Sequence, residues 1–401
     1  MSDASVAIIG AGPAGLIAAE ILSAAGKHVV MYERMPSVAR KFLMAGRGGL
    51  NLTHSEPFER FIERYEEAAG HLLPMLQAFT AGDLIDWANG LGAETFIGSS
   101  GRVFPKAMKA SPLLRAWLTR LSNQGVEFKT RATWLGWTED GAVRFNENGL
   151  ETLSNPAVTL LALGGASWPK LGSDGSWART LSARGVELAP FQPSNSGFNV
   201  AWSEHFRTRF AGQPLKGVAV MHYSRRSRGE VMISNYGVEG GPIYALSRHL
   251  RQTAPTRIRI DLRPDLTHRE IEAKLARAKV GDTLSSTLRK TLGLSPAAIG
   301  LLYESQHGPP RRDPQELAAD LKAVAIDISG PHGLDRAIST AGGVAWRAVD
   351  QNLQLRAIPN TYVAGEMLDW EAPTGGYLLT ACFASGRVAA QGILRWLQHL
   401  A

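Results

Sequence analysis

A glycine-rich segment near the start of the sequence has the residue types and spacing that bind a pyrophosphate. The segment is Gly10-Ala-Gly-Pro-Ala-Gly15, a G-x-G-x-x-G pattern that directly follows an apolar run. Gly10 allows a tight turn, Gly12 lets backbone N–H groups approach the phosphates, and Gly15 lets a following helix pack closely on the preceding strand. That helix directs its N-terminal N–H groups and its positive dipole end at the phosphates. The pattern predicts a dinucleotide site whose contacts are Gly10, Gly12, Pro13, Ala14 and Gly15.

An acidic residue completes this pattern further along the chain. Lys27-His-Val-Val-Met-Tyr32 is a second apolar run, and Glu33 follows it. In this arrangement the carboxylate meets a ribose 2′-hydroxyl, and it would repel a 2′-phosphate. The predicted ligand is therefore FAD or NAD, with Arg34 and Arg40 as further cofactor contacts.

A second glycine-rich segment, between Lys41 and Ser55, follows the predicted nucleotide-binding strand. It holds three glycines within four residues and then a polar stretch. Such a loop suits an anion or a flat ring, although many glycine-rich loops are only turns. The predicted cofactor contacts here are Lys41, Gly46, Gly48, Gly49 and Asn51.

Two later glycine-containing segments, each following a short apolar strand, predict a second set of contacts with the cofactor. Asn155 to Leu163 is a predicted buried strand that ends at Gly164-Gly165, and Asn360 to Ala364 ends at Gly365-Glu366. Glu366 could bond a ribitol or ribose hydroxyl. Gly375-Gly376-Tyr377 opens the last predicted helix, and its N–H groups would stabilise negative charge at the flavin N1/C2 carbonyl. NAD needs no such second set of contacts, so the sequence favours FAD.

The elements that must position these residues predict an α/β fold with a discontinuous Rossmann-like FAD-binding domain. Residues 56–92 have a helical pattern, residues 131–153 suggest antiparallel strands, and alternating, Arg-rich sequence from Pro190 suggests β-structure through about Leu262. Helices follow from Thr267, with Thr267-x-x-Glu270 as a capping box. The predicted segments are 1–190 (first part of the FAD-binding domain), 191–263 (β-rich substrate domain), 264–312 (small helical domain), 313–335 (return to the β-rich domain or linker) and 336–401 (second part of the FAD-binding domain).

Composition narrows the class of protein. The chain has 401 residues, 44% hydrophobic and 20% charged, as is typical of ordinary globular proteins. No apolar run is long enough to span a bilayer, so we expect no membrane partner and a cytoplasmic location. Cys382 is the sole cysteine, which excludes an intramolecular disulfide and a C-x-x-C dithiol, and no Cys/His cluster predicts a metal.

Positive charge is concentrated in residues 200–263. The net charge of the whole chain is +7. Four acidic residues lie in this segment (Glu204, Glu230, Glu239, Asp261), against eleven basic ones (Arg207, Arg209, Lys216, Arg225, Arg226, Arg228, Arg248, Arg251, Arg257, Arg259, Arg263). The difference of seven equals the net charge. We predict that the segment faces the flavin cleft and binds an anionic substrate such as RNA; the alternative is a solvated arginine-rich surface.

The ordered motifs resemble those of the BaiN/RdsA family of NAD(P)/FAD-dependent oxidoreductases, also known as YhiN-like flavoproteins. The likeness extends over nearly the whole chain and includes Gly101-Arg-Val-Phe-Pro105, Leu163-Gly-Gly-Ala-Ser-Trp-Pro-Lys170 and Ser339-Thr-Ala-Gly-Gly-Val344. The resemblance implies FAD in a two-part Rossmann-like domain, an inserted β-barrel domain and a small helical domain. Many relatives have a cysteine where this chain has Leu50, so the chain looks like a separate subgroup.

These observations predict an FAD-dependent oxidoreductase. No second G-x-G-x-x-G follows a strand, so NADH or NADPH would be a transient donor, or oxygen would reoxidise the flavin. Candidate proton carriers are Lys41, His54, Lys170, Tyr236 and Tyr377. The family implies reduction of a C=C bond, including uracil-ring reduction in rRNA, or oxidation of a small amine or ketone such as aminoacetone. A third alternative is an FAD-containing RNA-binding protein in which the flavin is structural.

Overall fold

The computed structural model describes residues 5–46, 48–279 and 281–399. The chain forms two compact units. Unit 1 comprises residues up to Gln192 and from Ser339 onward, and unit 2 comprises Pro193–Ile338. Each unit has its own hydrophobic core. The predicted segments 191–263, 264–312 and 313–335 lie within unit 2 except for residues 191 and 192, and their subdivision stays a prediction.

A five-stranded parallel sheet forms the centre of unit 1. Its strands lie in the spatial order Thr361–Val363, Val158–Leu161, Val6–Ile9, Val29–Glu33 and Glu127–Thr130. Ile8 lies in register with Leu160 on one side and Met31 on the other. The central strand is fully buried, which explains its continuous apolar sequence. The α/β, Rossmann-like class predicted from the sequence is confirmed.

Helices and two small antiparallel sheets surround this sheet. The helices of unit 1 are Pro13–Ala24, Arg40–Ala45, Phe58–Glu63, Ala69–Ala78, Ala81–Gly90, Ala110–Asn123, Trp177–Ser182 and Tyr377–His399. One small sheet contains Thr53–His54, Arg102–Pro105 and Thr95–Ile97; the other contains Ala132–Trp137, Val143–Glu147 and Leu150–Ser154. The chain leaves unit 1 along the strand Leu188–Ser194 and returns along Ser339–Val344. The predicted helical region 56–92 and antiparallel region 131–153 are both confirmed.

The first and last helices of unit 1 pack closely together. Gly386 of the helix Tyr377–His399 lies against the backbone of Ala14 and the side chain of Ile17, and an added β-carbon there would overlap the Ala14 carbonyl. The buried face of the first helix is therefore covered by the end of the chain.

Unit 2 contains a seven-stranded antiparallel sheet, which corresponds to the predicted β-rich domain. The strands lie in the order Val324–Ile328, Thr256–Asp261, Pro214–His222, Arg225–Ile233, Gly237–Glu239, Phe198–Asn199 and Gly330–Pro331. The helices are Glu204–Phe210, Gly241–Thr253, His268–Ala276, Leu284–Leu292, Pro296–Ser305 and Pro314–Lys322. Thr267 and Glu270 form the predicted capping box.

The prediction of β-structure through Leu262 is wrong for residues 241–253. This segment is a helix with its apolar face on the core of unit 2. Ile243, Leu246 and Leu250 are spaced by three and four residues, which is the helical period, but the arginines and histidine among them obscure it. The shorter helix Glu204–Phe210 also interrupts the predicted strands. Among the described residues, no helix is long and apolar enough to cross a membrane.

Candidate functional site

A cavity of about 440 Å³ lies at the carboxyl ends of the parallel strands of unit 1. Its volume is within the usual range for a ligand site, and this edge of an open α/β sheet is where ligands bind. Its lining includes eleven of the predicted cofactor residues: Gly10, Gly12, Pro13, Ala14, Glu33, Arg34, Arg40, Lys41, Gly164, Gly365 and Glu366. The remaining predicted cofactor residues do not line this cavity.

The glycine turn forms the floor of the cavity. Gly10 has φ +102, and an added β-carbon would overlap the carbonyl oxygen of Ala162, so this turn requires glycine. An added β-carbon on Gly15 would overlap the carbonyl oxygen of Gly10 in the same way. Gly12 differs, because its backbone is extended and an added β-carbon would meet nothing within 4 Å. The space above Gly12 is thus left for a ligand.

Glu33 is at the end of the second parallel strand and is held by the backbone of two loops. Its Oε2 accepts the N–H of Ala11 at 3.1 Å, and its Oε1 accepts the N–H of Met35 at 2.9 Å. Burial raises the pKa of Glu33 above its usual value, although these two N–H groups and the nearby Arg34 and Arg40 oppose the shift. Each carboxylate oxygen keeps a lone pair that a ribose hydroxyl could use.

We expect Glu33→Ala to weaken FAD binding by about 1–3 kcal/mol, the value of a hydrogen bond to a charged group. The wild-type affinity should also fall as the pH is lowered, since protonation removes the charge that accepts the hydroxyls. Because the pKa is raised, this loss begins at a higher pH than for an ordinary glutamate. FAD titrations of the deflavinated protein between pH 5 and 8 measure both effects; equal affinities in both proteins at every pH would reject the role.

Lys41 and Glu366 form an ion pair across the cavity wall. Lys41 Nζ lies 2.6 Å from Glu366 Oε2 and donates to Ser167 Oγ at 2.8 Å, while Glu366 Oε1 accepts the N–H of Thr340 at 3.1 Å. The Lys41 side chain is 28% exposed and that of Glu366 is 12% exposed. This network connects the helix Arg40–Ala45 to the return strand of unit 1.

We expect Lys41→Met to destabilise the deflavinated protein by about 2 kcal/mol, because it leaves a mostly buried carboxylate without its cation. The double variant Lys41→Met/Glu366→Gln removes both charges and should recover most of that loss. Melting temperatures of the wild type, both single variants and the double variant give the coupling. Additive effects in this cycle would show that the pair contributes nothing.

The second glycine-rich segment lies next to the start of the last helix. Gly376 has φ +93, and its missing side chain lets it lie against the backbone of Thr53, two residues after Asn51. The Oδ1 atom of Asn51 is buried and has no hydrogen-bond partner among the described residues. An unpaired buried acceptor is costly, so a ligand that brings a donor fits here.

The other glycines of this segment have varied surroundings. An added β-carbon would overlap Ala110 at Gly46 and would meet Met108 at Gly49, whereas Gly48 faces open space. Packing alone accounts for the glycines at 46 and 49, and their contact with the cofactor stays a prediction. Arg47, between them, lies outside the described residues.

The candidate proton carriers are in different environments. His54 Nδ1 accepts the N–H of Glu56, and Nε2 bonds the carbonyl of Ser100, so both ring nitrogens hold the loop. The Tyr377 hydroxyl donates to Glu56 at 2.6 Å, and burial, with this bond, raises the pKa of Tyr377. Lys170 is exposed in a short 3-10 helix.

Tyr236, in unit 2, belongs to a small polar cluster. Its hydroxyl donates to Glu239 at 2.5 Å, and its ring stacks on that of His332 with centroids 3.6 Å apart. Burial raises the pKa of Tyr236, as does the Glu239 carboxylate. The phenol therefore stays protonated near neutral pH. Catalytic roles for all these residues stay predictions.

Cys382 lines the cavity, but the structure gives it little reactivity. Burial raises the pKa of the thiol to about 12, and the Glu366 carboxylate adds to the shift. No group of three or more His, Cys, Asp and Glu side chains within the described ranges could hold a metal ion.

One wall of the cavity is formed by residues that the sequence motifs did not predict. It is formed by the start of the antiparallel strand Ala132–Trp137 and by the segment after Gly165, with the lining residues Ala132, Thr133, Trp134, Leu135, Leu171, Gly172, Ser173, Asp174, Ser176, Trp177 and Thr180. Asp174 also pairs with Arg34 at 2.7 Å. The one feature of the sequence that could have indicated this wall is position, because residues 131–153 directly follow the edge strand of the parallel sheet.

The glycine turn, the acid at the second strand and the cavity at the strand ends together define a Rossmann-like dinucleotide-binding protein. The chain belongs to the HI0933-like protein Rossmann domain family, whose model matches residues 4–392. The protein is a flavin-dependent oxidoreductase of that family, and the resemblance inferred from the sequence is confirmed.

Curated relatives match nearly the full length of this chain. The chain is 26% identical to the 3-dehydro-bile acid delta(4,6)-reductase of Clostridium scindens, covering 96% of this chain and 98% of the relative. It is 24% identical to the ribosomal RNA dihydrouridine synthase of Escherichia coli, covering 96% and 97%. Among solved structures, 3-ketosteroid delta1-dehydrogenase from Sterolibacterium denitrificans is similar in fold, with a TM-score of 0.54 at 12% identity, covering 98% of this chain and 100% of that one.

The residues of unit 1 fit FAD. Gly12 leaves room where a pyrophosphate passes the glycine turn, and the unpaired Oδ1 of Asn51 suits the N–H donor of a flavin ring. Glu33 and Glu366 offer carboxylate oxygens at separate places on the cavity wall. A dinucleotide with a hydroxyl-rich group in each half matches this arrangement.

Proposed function

We propose that this protein is an FAD-dependent reductase that uses NADH or NADPH to reduce a C=C bond in an anionic substrate, with RNA as the first candidate. The observation that carries the proposal is the cavity of unit 1, which is lined by Gly12, Glu33 and Glu366. The relatives support the reaction type. One is named as a reductase and the other as a synthase of dihydrouridine, which is uridine with its ring double bond reduced.

Bound FAD would supply the hydride chemistry, and the protein supplies position and a proton. Gly12 admits the pyrophosphate, Glu33 and Glu366 accept hydroxyl groups, and Lys41 balances the charge of Glu366. The helix Tyr377–His399 begins directly after Gly376, which lies against the backbone of Thr53, and its N-terminus would stabilise negative charge there. No thiol is available at Leu50, so another group must protonate the substrate.

One of the candidate proton donors is favoured by its surroundings. Lys41 is engaged by Glu366 and Ser167, and His54 uses both ring nitrogens for backbone groups. The hydroxyl groups of Tyr236 and Tyr377 already donate to carboxylates. Lys170 is exposed, and we therefore propose Lys170 as the proton donor to the substrate.

The charge of unit 2 supports an anionic substrate. Unit 2 carries 21 Lys and Arg against 14 Asp and Glu, so its excess of seven equals that of the whole chain. Folding neutralises part of the basic segment, since Arg228 pairs with Asp265 and Arg257 pairs with Asp327, and both acids lie outside residues 200–263. The net positive charge of unit 2, which already includes these acids, still favours binding of a polyanion.

The hairpin Pro214–His222/Arg225–Ile233 is the part of unit 2 that best suits RNA. Arg225, at the tip, is exposed, and its side chain has no hydrogen bond or ion pair among the described residues. Tyr223 beside it is 83% exposed, which leaves an aromatic face for an unpaired base. A basic and aromatic tip of this kind can hold both the phosphate and the base of a single strand.

Anaerobic stopped-flow spectroscopy tests the redox function. We expect the bound flavin to lose its oxidised absorbance on mixing with NADH or NADPH, and a structural flavin would stay oxidised. The reduced protein is then mixed with unmodified rRNA under argon, and the oxidised protein, without NADH or NADPH, is mixed with aminoacetone in air-saturated buffer. Reoxidation by RNA with formation of dihydrouridine supports the proposal, whereas amine-dependent peroxide formation supports the oxidase alternative.

An untargeted comparison of nucleosides and metabolites between wild-type and deletion strains identifies the substrate class. Loss of a reduced nucleoside in the deletion strain supports an RNA substrate. Accumulation of an unsaturated small molecule with unchanged RNA would instead indicate a metabolic substrate.

A further inference from the structure

Trp134 has a buried donor with no acceptor at the wall of the cavity. It lies in the strand Ala132–Trp137 and lines the same cavity as Gly12 and Glu33. Its indole Nε1 is buried and lacks a hydrogen-bond partner among the described residues. Buried polar groups in folded proteins are nearly always paired, so this N–H indicates a missing acceptor.

Aromatic neighbours limit the freedom of the Trp134 ring. The ring meets that of Trp137 edge to face at 5.0 Å, and Trp134 lies opposite Phe145 in the antiparallel sheet. Phe145 in turn stacks on Tyr32, with centroids 3.9 Å apart. The indole therefore packs against the Trp137 ring, and its N–H has no hydrogen-bond partner among the described residues.

The sheet order shows which half of the dinucleotide lies nearer to Trp134. The Trp134 strand directly follows Glu127–Thr130, the edge strand, and that strand pairs with Val29–Glu33. The strand before Glu366 lies at the opposite edge of the five-stranded sheet. Trp134 is thus on the side of Glu33, the ribose acid, and away from Glu366.

We propose that the indole N–H of Trp134 donates a hydrogen bond to the adenosine half of FAD and makes the protein prefer FAD to FMN. This inference rests on the proposed use of FAD. The adenosine half offers ring nitrogens and ribose oxygens as acceptors, and FMN has none of these atoms. The indole N–H would add a directed hydrogen bond to the contacts that Ala132, Leu135 and Tyr32 offer in the same cavity.

Trp134→Phe tests the contact, because it keeps an aromatic ring and removes only the N–H. Trp137→Phe is the matched control, since Trp137 is in the same strand and is not among the residues that line the cavity. The deflavinated full-length proteins are titrated with FAD and with FMN, and binding is followed by flavin fluorescence. We expect Trp134→Phe to weaken FAD binding about 5- to 10-fold with FMN binding unchanged, and Trp137→Phe to change neither.

The outcomes separate this inference from the proposed function. Equal FAD affinity in wild type and Trp134→Phe overturns the contact while FAD remains the cofactor. An equal loss for FAD and FMN, or the same loss in Trp137→Phe, also overturns it, because the effect would then be general. A wild-type protein that binds no FAD overturns the proposed function and this contact together. Melting curves of the deflavinated variants verify that each remains folded.

Discussion

Gly12→Val is expected to give a folded protein that purifies without flavin. Gly12 has an extended backbone that any residue can adopt, and an added β-carbon meets no protein atom within 4 Å. The valine side chain would occupy the path of the pyrophosphate instead, and the loss of FAD should be essentially complete. The ratio of flavin absorbance to protein absorbance, with the melting temperature of the deflavinated protein, measures both parts of the prediction.

Gly10→Ala is the contrasting control for this variant. Its new methyl group would overlap the carbonyl of Ala162, and the backbone at φ +102 disfavours alanine. We therefore expect Gly10→Ala to lower the melting temperature even without flavin, unlike Gly12→Val. Full flavin occupancy in Gly12→Val would show that the dinucleotide does not pass this turn.

Neutralising Arg225, Arg226 and Arg228 together is expected to flatten the salt dependence of RNA binding. The three arginines lie on one strand of the exposed hairpin of unit 2. Each phosphate neutralised on a single strand contributes about 0.7 to the slope of log affinity against log salt. Arg226 and Arg228 already pair with Asp261 and Asp265. We therefore expect the slope to fall by about 0.7 through Arg225 alone, and by no more than about 2 for all three. Fluorescence anisotropy of a labelled rRNA fragment, measured between 50 and 300 mM salt, gives this slope. FAD occupancy should not change.

Arg257→Ala is the matched control, because Arg257 lies on the strand Thr256–Asp261, which pairs with the other strand of the hairpin, and both its Nε and one terminal nitrogen bond Asp327. An arginine paired in this way has little charge left for a phosphate, so its loss should leave the slope almost unchanged. The triple variant keeps Asp261 paired, since Lys322 remains 2.8 Å away. If the wild type shows no salt-dependent RNA binding at low ionic strength, the RNA proposal is wrong and a small-molecule substrate becomes the better explanation.

The part of the site that depends on short patterns could be predicted from the sequence. Gly10, Gly12 and Glu33 follow from a local strand, turn and helix, and Glu366 follows from a second strand of the same kind. The structure brings all four to one cavity. Trp134 could not be found in this way, because nothing in a strand sequence indicates which of its faces will meet a ligand.

The charge of the folded surface could not be obtained by counting charged residues along the sequence either. The segment 200–263 contains only four acidic residues, but sheet pairing brings Asp327 beside Arg257, and Asp265 reaches Arg228. The helix Gly241–Thr253 was missed for a similar reason, since its exposed face is rich in basic residues and its buried face has only a few apolar positions. Sequence neighbours and spatial neighbours differ most in such strongly polar regions.

The interrupted order of unit 1 has a consequence for how the protein is made. Unit 2 is one continuous stretch, Pro193–Ile338, whereas the edge strand Thr361–Val363 and the helix Tyr377–His399 are the last parts of unit 1 to leave the ribosome. A growing chain can therefore complete unit 2 while the apolar face of the helix Pro13–Ala24 is still uncovered. Glu366 is also synthesised late, so the ion pair between Lys41 and Glu366 can form only near the end of translation. We expect the nascent chain to depend on chaperones during this interval and to take up its flavin only after translation is nearly complete.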